Sequence, residues 1–341
     1  MLRVGIVGVG FMGRIHFLGL QHVRGAKLAA ICSRDAAKLR GDWTQTRGNF
    51  GPKPGLVDLA GVKAYADYAE MLADPDLDLI DVCNPTHLHP ATAIAALEAG
   101  KHVFVEKAIA LTTADADAML AAAERSGKLL MVAHVLPYFP EFAYAAEAVR
   151  SGRYGKLRAA HFTRVISRPD WSADIGDAAK TGGPAVDLHV HDTHFIGLIC
   201  GVPQEVFSTG IVEGDAVNYL TTQYLYGPGG PAVSCSSGAV ATSGRPFAHG
   251  YEIFLEGATL AYHSGGVSLT VFTPDGESFA PRLDGGGDPI AAFTAEIQAA
   301  VDGVVAAKVP DLLSAKLARD ALTMCHRECE SVRRGRPVRI D

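Results

Sequence analysis

Arg3-Val4-Gly5-Ile6-Val7 runs directly into Gly8-Val9-Gly10-Phe11-Met12-Gly13. A short apolar run beginning at the third residue reads as a buried parallel strand. The glycine cluster after it reads as a turn into a helix over about Arg14 to Val23. The glycines of this G-x-G-x-x-G pattern have separate tasks. Gly8 permits the tight turn, Gly10 lets the backbone approach a pyrophosphate, and Gly13 lets the helix pack closely on the strand. The free N–H groups where the helix begins, around Phe11 and Met12, then face the phosphates. Glycine-rich turns are common, so the pattern alone says little. A strand before it and a helix after it make it a dinucleotide-binding turn.

Bulk properties narrow the class further. The 341 residues are too many for one ordinary core and comfortable for two domains. Apolar residues make up 48% and charged residues 20%, the balance of a soluble globular protein. A net charge of −6 without a basic run argues against nucleic acid as a partner. No apolar stretch approaches a membrane span, and no cleavable segment precedes the first strand, so a cytoplasmic location is expected. Six cysteines, at 32, 83, 200, 235, 325 and 329, lack zinc-ribbon spacing. They read as buried reduced thiols, and no metal is expected.

Strand and helix patterns alternate through the first third. Strands are expected over Lys27 to Cys32, Leu77 to Cys83, His102 to Val105 and Leu129 to Ala133, with helices over Tyr68 to Leu72, Pro90 to Ala99 and Thr113 to Ser126. The Gly-, Pro- and polar-rich segment Gly41 to Gly61 reads as an insertion that leaves the alternation intact. Such alternation means βαβ units and a parallel sheet. From about residue 134 the pattern changes. Helical Glu141 to Ser151, the strand-like run Leu157 to Ser167 and helical Ala185 to Cys200 precede six further strand-like runs between Glu205 and Thr273. Helices at Pro289 to Gly303 and Ser314 to Arg334 follow. The expected fold class is α/β: a parallel-sheet dinucleotide-binding domain over 1–133, then an α+β domain with a large, mainly antiparallel open sheet over 134–341.

The end of the second strand bears on the cofactor. NAD-binding folds of this type place an acidic residue about twenty positions past the glycines, where it binds the adenosine ribose. Here Ser33 occupies that position and Arg34 follows. A carboxylate would repel a 2′-phosphate, whereas a hydroxyl with a guanidinium would bind one. NADP is therefore expected, with NAD the alternative if Arg34 only stacks on the adenine and Asp35 caps a helix.

Three further segments carry a resemblance. They are Asn84-Pro85-Thr86-His87-Leu88-His89, Ala99-Gly100-Lys101-His102-Val103-Phe104-Val105-Glu106-Lys107, and Gly182-Gly183-Pro184-Ala185-Val186-Asp187-Leu188-His189-Val190-His191-Asp192. With the glycine loop, in this order and spacing, the chain resembles the glucose–fructose oxidoreductase, inositol dehydrogenase and MocA-type family along essentially its whole length. The resemblance implies a Rossmann domain followed by an α+β domain whose open sheet mediates oligomer contacts, so a homodimer or homotetramer is expected. It implies cofactor contacts from Asn84, Pro85, His87, His89, Glu106 and Lys107. It also implies a catalytic set of Lys107, Asp187 and His191. Four features depart from the family's pattern: Ala108 replaces the usual Pro, Pro137-Tyr138 replaces an Arg-containing stretch, His194 replaces an acidic substrate contact, and Gly41–Gly61 is inserted. The last three bear on the pocket or its surroundings, so no named member's substrate carries over.

The chemistry of that set is coherent. Oxidising a carbinol needs a hydride acceptor and a base, and a histidine such as His191 titrates near neutrality. Asp187 lies four residues earlier, on the same face of one helix if the helix is continuous, and would orient the ring. Lys107 would stabilise developing alkoxide charge. Lys107, His134, Trp171, His191 and His194 are expected to touch a small-molecule substrate. Asp187, His191 and His194 have ligand types that suit zinc, while His189 points roughly opposite. His194 reads more simply as a substrate contact or a pocket histidine. The expected function is an NAD(P)-dependent dehydrogenase or reductase of sugars, cyclitols or related polyols. The alternative is a glycosidase or epimerase that uses tightly held NAD(P) for transient oxidation.

Overall fold

The computed structural model describes residues 1–168, 177–283 and 288–340. The chain divides into two compact units, Met1–Tyr138 with Gly287–Arg319, and Phe139–Gly286 with Asp320–Asp341. The expected cut at 133/134 lies close to the first division. The segment 287–319, expected in the second part, returns instead to the first unit.

The first unit begins with β1 (Leu2–Val7), α1 (Phe11–Leu20), β2 (Ala26–Cys32), α2 (Ala36–Leu39), β3 (Lys63–Tyr65), α3 (Tyr68–Leu72), β4 (Leu79–Val82), α4 (His89–Glu98), β5 (His102–Glu106), α5 (Thr113–Ser126) and β6 (Leu130–Ala133). The six strands lie in the order β3-β2-β1-β4-β5-β6, and every pairing is parallel. The strand order reverses between β1 and β4, and in such sheets a crevice for ligands opens at the carboxyl ends of that pair. Local chemistry sets the helix ends. Asp67 accepts from the Ala69 and Glu70 amides at the start of α3. Thr112 caps α5, and Gly127 ends it in the left-handed region at φ 64°.

The insertion is part of this unit's core. Trp43 is 1% exposed, donates from Nε1 to the Lys38 carbonyl at 2.9 Å, and meets Phe17 edge-on at 4.8 Å. Phe50 stands edge-on to Phe11 at 4.8 Å and stacks on Phe293 at 5.6 Å. The Arg14 guanidinium donates to the Pro52 carbonyl.

The second unit contains α6 (Pro140–Ser151), β7 (Leu157–Ser167), α7 (Ala178–Thr181), α8 (Pro184–Asp187) and α9 (Val190–Cys200). The strands β8 (Glu205–Glu213), β9 (Ala216–Leu225), β10 (Ala232–Ala241), β11 (Ala248–Leu255), β12 (Thr259–His263), β13 (Val267–Phe272) and β14 (Ser278–Phe279) follow. Helix α10 (Pro289–Val305) belongs to the first unit and packs on α1. Most of α11 (Ala315–Arg334) and all of β15 (Val338–Arg339) belong to the second. Its nine-stranded sheet runs β14-β13-β12-β11-β7-β10-β9-β8-β15, antiparallel except where β10 pairs with β7. Ala160, Phe162, Val233, Cys235, Leu220 and Tyr224 are buried on one face, while Phe207, Ile211, Val240 and Phe254 stand exposed. Among the described residues no helix is long and apolar enough to cross a membrane.

One expectation needs correction. The continuous helix over Ala185 to Cys200 is two helices, α8 and α9, parted at Leu188 and His189. The His189 amide reaches back five residues to the Pro184 carbonyl, and the His189 carbonyl then takes the amides of both Asp192 and Thr193. The ladder is offset at this point, so Asp187 and His191 do not share one helix.

The burial of Trp43 carries a prediction. Trp43→Ala is expected to cost about 3–5 kcal/mol, read as a lower midpoint in chemical denaturation. An unchanged midpoint would mean that the insertion is not core.

Candidate functional site

The glycine turn has three different reasons for its glycines. Gly8 adopts φ 92°, and a Cβ there would lie 2.6 Å from the Asn84 amide nitrogen, so side chains are barred by both conformation and contact. A Cβ at Gly13 would collide with the Gly8 carbonyl, which is how α1 comes so close to the turn. Gly10 has an ordinary negative φ, and a Cβ there would meet nothing within 4 Å. The protein's own packing therefore does not require glycine at Gly10, and the space beside it would admit the close approach of a pyrophosphate. No side chain caps α1 and no acidic residue stands in its first turn, which leaves its N-terminus suited to an anion. The ring of Phe11 is committed to Phe50, so what Phe11 has to offer a cofactor is its backbone N–H. These residues fit a bound dinucleotide.

At the end of β2 the Ser33 hydroxyl oxygen accepts from the Asp35 amide at 3.1 Å, and Asp35 caps α2 through the Ala37 amide at 2.9 Å. Arg34 is exposed. The helix-cap role considered for Asp35 is thus present, and no carboxylate replaces Ser33.

The ends of β4 and β5 are tied together. His89 is 1% exposed, with Nδ1 2.8 Å from the Ala108 carbonyl and Nε2 2.9 Å from the Asn84 carbonyl. A neutral ring donates to one of these carbonyls and only approaches the other, so the His89 side chain stands between the two strand ends. Burial lowers its pKa. Asn84 Nδ2 donates to Thr92, while Asn84 Oδ1 is buried with no hydrogen-bond partner among the described residues. His87 and Pro85 are exposed. The Lys107–Ala108 peptide is cis.

Beneath this edge lies a cluster that the sequence reading did not identify. His16, on α1 and fully buried, has Nδ1 2.9 Å from Asp81 Oδ2 and Nε2 2.8 Å from Glu106 Oε1. Glu106 Oε2 accepts from the Lys107 backbone amide at 3.0 Å. Burial opposes charge on His16, but Asp81 prevails and holds its pKa well above 6.5. Glu296, on α10, is fully buried, and neither carboxyl oxygen has a hydrogen-bond partner among the described residues. Burial, then the nearby Glu106 carboxylate, raises its pKa well above the usual range. The signal was present in sequence: Asp81 is a charged residue within the otherwise apolar strand Leu79–Val82, and such residues are seldom buried alone.

In the second unit Lys107's proposed partners, Asp187 and His191, are half-buried, whereas His194 is fully buried. Burial pushes the His194 pKa down to about 3. His134, of the first unit, is also fully buried, and Trp171 lies outside the described residues. His189 turns into the core. Its Nε2 lies 2.5 Å from Glu328 and its Nδ1 3.4 Å from Asp192, which is bound in turn by Arg164 at 2.9 Å. Burial opposes the charge on His189, but Glu328 holds its pKa well above 6.5. Two groups of metal-ligand type occur among the described residues, His16 with Asp81 and Cys83, and His189 with Asp192 and Cys235. In both, the histidine already sits between carboxylates. All six cysteines are free, five of them buried.

Comparison with known proteins agrees with this architecture. Residues 2–134 match the oxidoreductase family with an NAD-binding Rossmann fold, and residues 142–261 match the GFO/IDH/MocA C-terminal domain. Myo-inositol 2-dehydrogenase of Thermotoga maritima is 31% identical over 215 residues, 63% of this chain and 60% of that protein. Glycosyl hydrolase family 109 protein 1 of Shewanella sp. is 32% identical over 231 residues, 65% of this chain and 47% of that protein. The chain thus aligns with about half to three-fifths of these relatives' own lengths. In fold it is similar to a levoglucosan dehydrogenase solved with NADH and levoglucosan, with a TM-score of 0.83, 20% identity and 99% of both chains covered. An oxidoreductase domain protein from Kribbella flavida superposes with a TM-score of 0.85 at 22% identity over 100% of this chain and 99% of that one. With both of its domain types matched, the chain belongs to the glucose–fructose oxidoreductase, inositol dehydrogenase and MocA-type oxidoreductase family.

The buried histidines predict a stability maximum near pH 6.5. His194 and His249 are both held down to about 3 by burial, so their stabilising contribution is present above 6.5 and is lost as pH falls toward 3. His16 and His189 are raised, so theirs is complete below 6.5 and is lost as pH rises through their folded-state values. Glu296, also raised, contributes fully below 4.5 and loses that contribution as pH rises through its folded-state value. Melting temperatures from pH 4.5 to 8.5 should fall on both sides of this maximum. A curve that climbs steadily to pH 8.5 would contradict the paired state of His16 and His189.

Proposed function

We propose that the protein transfers a hydride between NADP and a hydroxyl or ketone carbon of a sugar, cyclitol or related polyol, with NAD as the alternative cofactor. The observation that carries this reading is the glycine turn, with open space at Gly10, on the same unit as Lys107, whose backbone amide donates to Glu106. The relatives' names support the substrate class, since they include a myo-inositol dehydrogenase and a 1,5-anhydro-D-fructose reductase. The bound nicotinamide supplies the hydride acceptor. His191 takes the hydroxyl proton, Asp187 orients His191, and the Lys107 ammonium stabilises the developing alkoxide. Ser33 and Arg34 receive the adenosine 2′-phosphate. In the cell the protein is read as a cytoplasmic homodimer or homotetramer. The exposed apolar face of its large sheet, with Ile211, Val240 and Phe254, supports that assembly.

The similarity to a family 109 glycosyl hydrolase keeps a second reading open, in which the same residues oxidise and re-reduce one substrate with no net change in cofactor. A panel of polyols, sugars and glycosides, assayed with both cofactors, separates the two. Net reduction of free cofactor supports the dehydrogenase. Turnover with a stoichiometric, non-exchanging dinucleotide supports the alternative.

Three substitutions test the residues. Lys107→Ala and His191→Asn should each lower turnover by roughly 10²–10⁴-fold with cofactor binding nearly intact. Near-normal turnover in either removes that residue from its role. Ser33→Asp should move preference from NADP toward NAD. Tighter binding of NAD than NADP by the unaltered protein would refute the assignment at Ser33 and Arg34.

A further inference from the structure

The buried chain Asp81–His16–Glu106–Lys107 reaches from the core of the first unit to the lysine placed in catalysis. The Glu106 carboxylate turns back on its own chain to accept the Lys107 amide at 3.0 Å with Oε2, while Oε1 lies 2.8 Å from His16 Nε2. A glutamate that touched only the amide would be free to take other rotamers. The ring at its second oxygen removes that freedom. The ring itself is fixed by Asp81, both of whose oxygens lie within 3.0 Å of Nδ1, and by Phe104 stacked on it at 5.6 Å. Carboxylates only accept, so two of them on one ring require both ring nitrogens to donate. On the far side of Lys107, His89 Nδ1 lies 2.8 Å from the Ala108 carbonyl. Side chains thus stand against the backbone on both sides of the residue.

We propose that His16 is a positioning residue for Lys107, acting through Glu106 and touching neither substrate nor cofactor. This rests on the reading of Lys107 as catalytic, which the test keeps separate. The titratable groups facing His16 are Asp81 and Cys83 from β4 and the turn after it, Glu106 from β5 and Glu296 from α10. A carboxylate left without its ring would swing, and the lysine's ammonium would lose its aim. Displacements of about 1 Å at a reacting centre cost up to about 100-fold in rate.

His16→Asn and His16→Gln discriminate the role. The amide nitrogen of Asn falls near Nδ1 and serves only Asp81, whereas that of Gln falls near Nε2 and still reaches Glu106. Hydrogen exchange of the Lys107 amide needs no substrate. His16→Asn should speed it at least about 10-fold, with the exchange of other buried amides in the sheet, such as Val105 and Val132, unchanged, and His16→Gln should largely restore its protection. Unchanged exchange in His16→Asn, or equal acceleration across the whole sheet, overturns the proposal. Should His16→Asn not fold, Asp81→Asn, which releases the other side of the ring, is read in the same way.

The second arm is kinetic. His16→Asn should lower kcat about 10–100-fold at nearly constant KM, and should add no further loss to Lys107→Ala. An additive loss overturns the proposal. Full turnover by Lys107→Ala alone would instead remove the catalytic reading of Lys107 while the exchange result still decides what His16 holds.

Discussion

A positive charge buried between two carboxylates is the constraint on which the pairing of α1 with β4 and β5, in the interior of the first sheet, depends. His16 is fully buried, and isolated charges in such a place are prohibitively unfavourable. It is tolerated because Asp81 and Glu106 come from adjacent strands and meet it on both ring nitrogens. That arrangement fixes the rotation of α1 against β4 and β5. The same helix presents its N-terminus at the glycine turn and its far end to α10. A helix so constrained at its middle holds both ends in place. The second unit repeats the device, with His189 between Glu328 and Asp192 and with Arg164 closing the series. In each case the neighbours that remain neutral, Glu296 in one and Tyr224 in the other, are held so by burial first.

Most of the architecture was legible because hydrophobic periodicity and punctuation agree. The helix Tyr68–Leu72 and the helix Thr113–Ser126 have the bounds expected, since Asp67, Thr112 and Gly127 mark their ends with side-chain or backbone chemistry. The strand Leu157–Ser167 likewise matches its expectation, because its alternation is long. Short elements such as β3 and β15 were not legible. They hold two or three residues, too few for a period, and exist only because a neighbouring strand offers hydrogen bonds. The break at Leu188 and His189 was hidden for a different reason. No Gly or Pro stands between Ala185 and Ile196, and the offset shows only in which carbonyl each amide selects.

The candidate site was legible where a motif needs its residues for reasons of space. Gly8 and Gly13 are required by the protein's own close packing, and a Cβ at Gly10 would meet nothing within 4 Å. It was less legible for histidines, because a histidine's type does not say which way it faces. His89 lies between two backbone carbonyls, His189 serves a buried ion-pair chain, and nothing in the sequence around His16 says that it faces two carboxylates. A charged partner in an apolar strand, such as Asp81 in Leu-Ile-Asp-Val, was the clue that a histidine elsewhere had to meet it.

The return of residues 287–319 to the first unit has a consequence for how the chain is born. The hydrophobic cluster that includes Val4, Leu20, Leu79, Phe104 and Met131 also includes Ile297, Ala300, Val301 and Leu313. During synthesis the first 138 residues leave the ribosome with that cluster lacking one wall. The wall arrives only after most of the second unit has been made. In the interval α1 lacks the apolar cover that α10 supplies, the kind of transient exposure that favours association with other chains. Linear order and spatial order differ here, so translation cannot finish one unit before it starts the other.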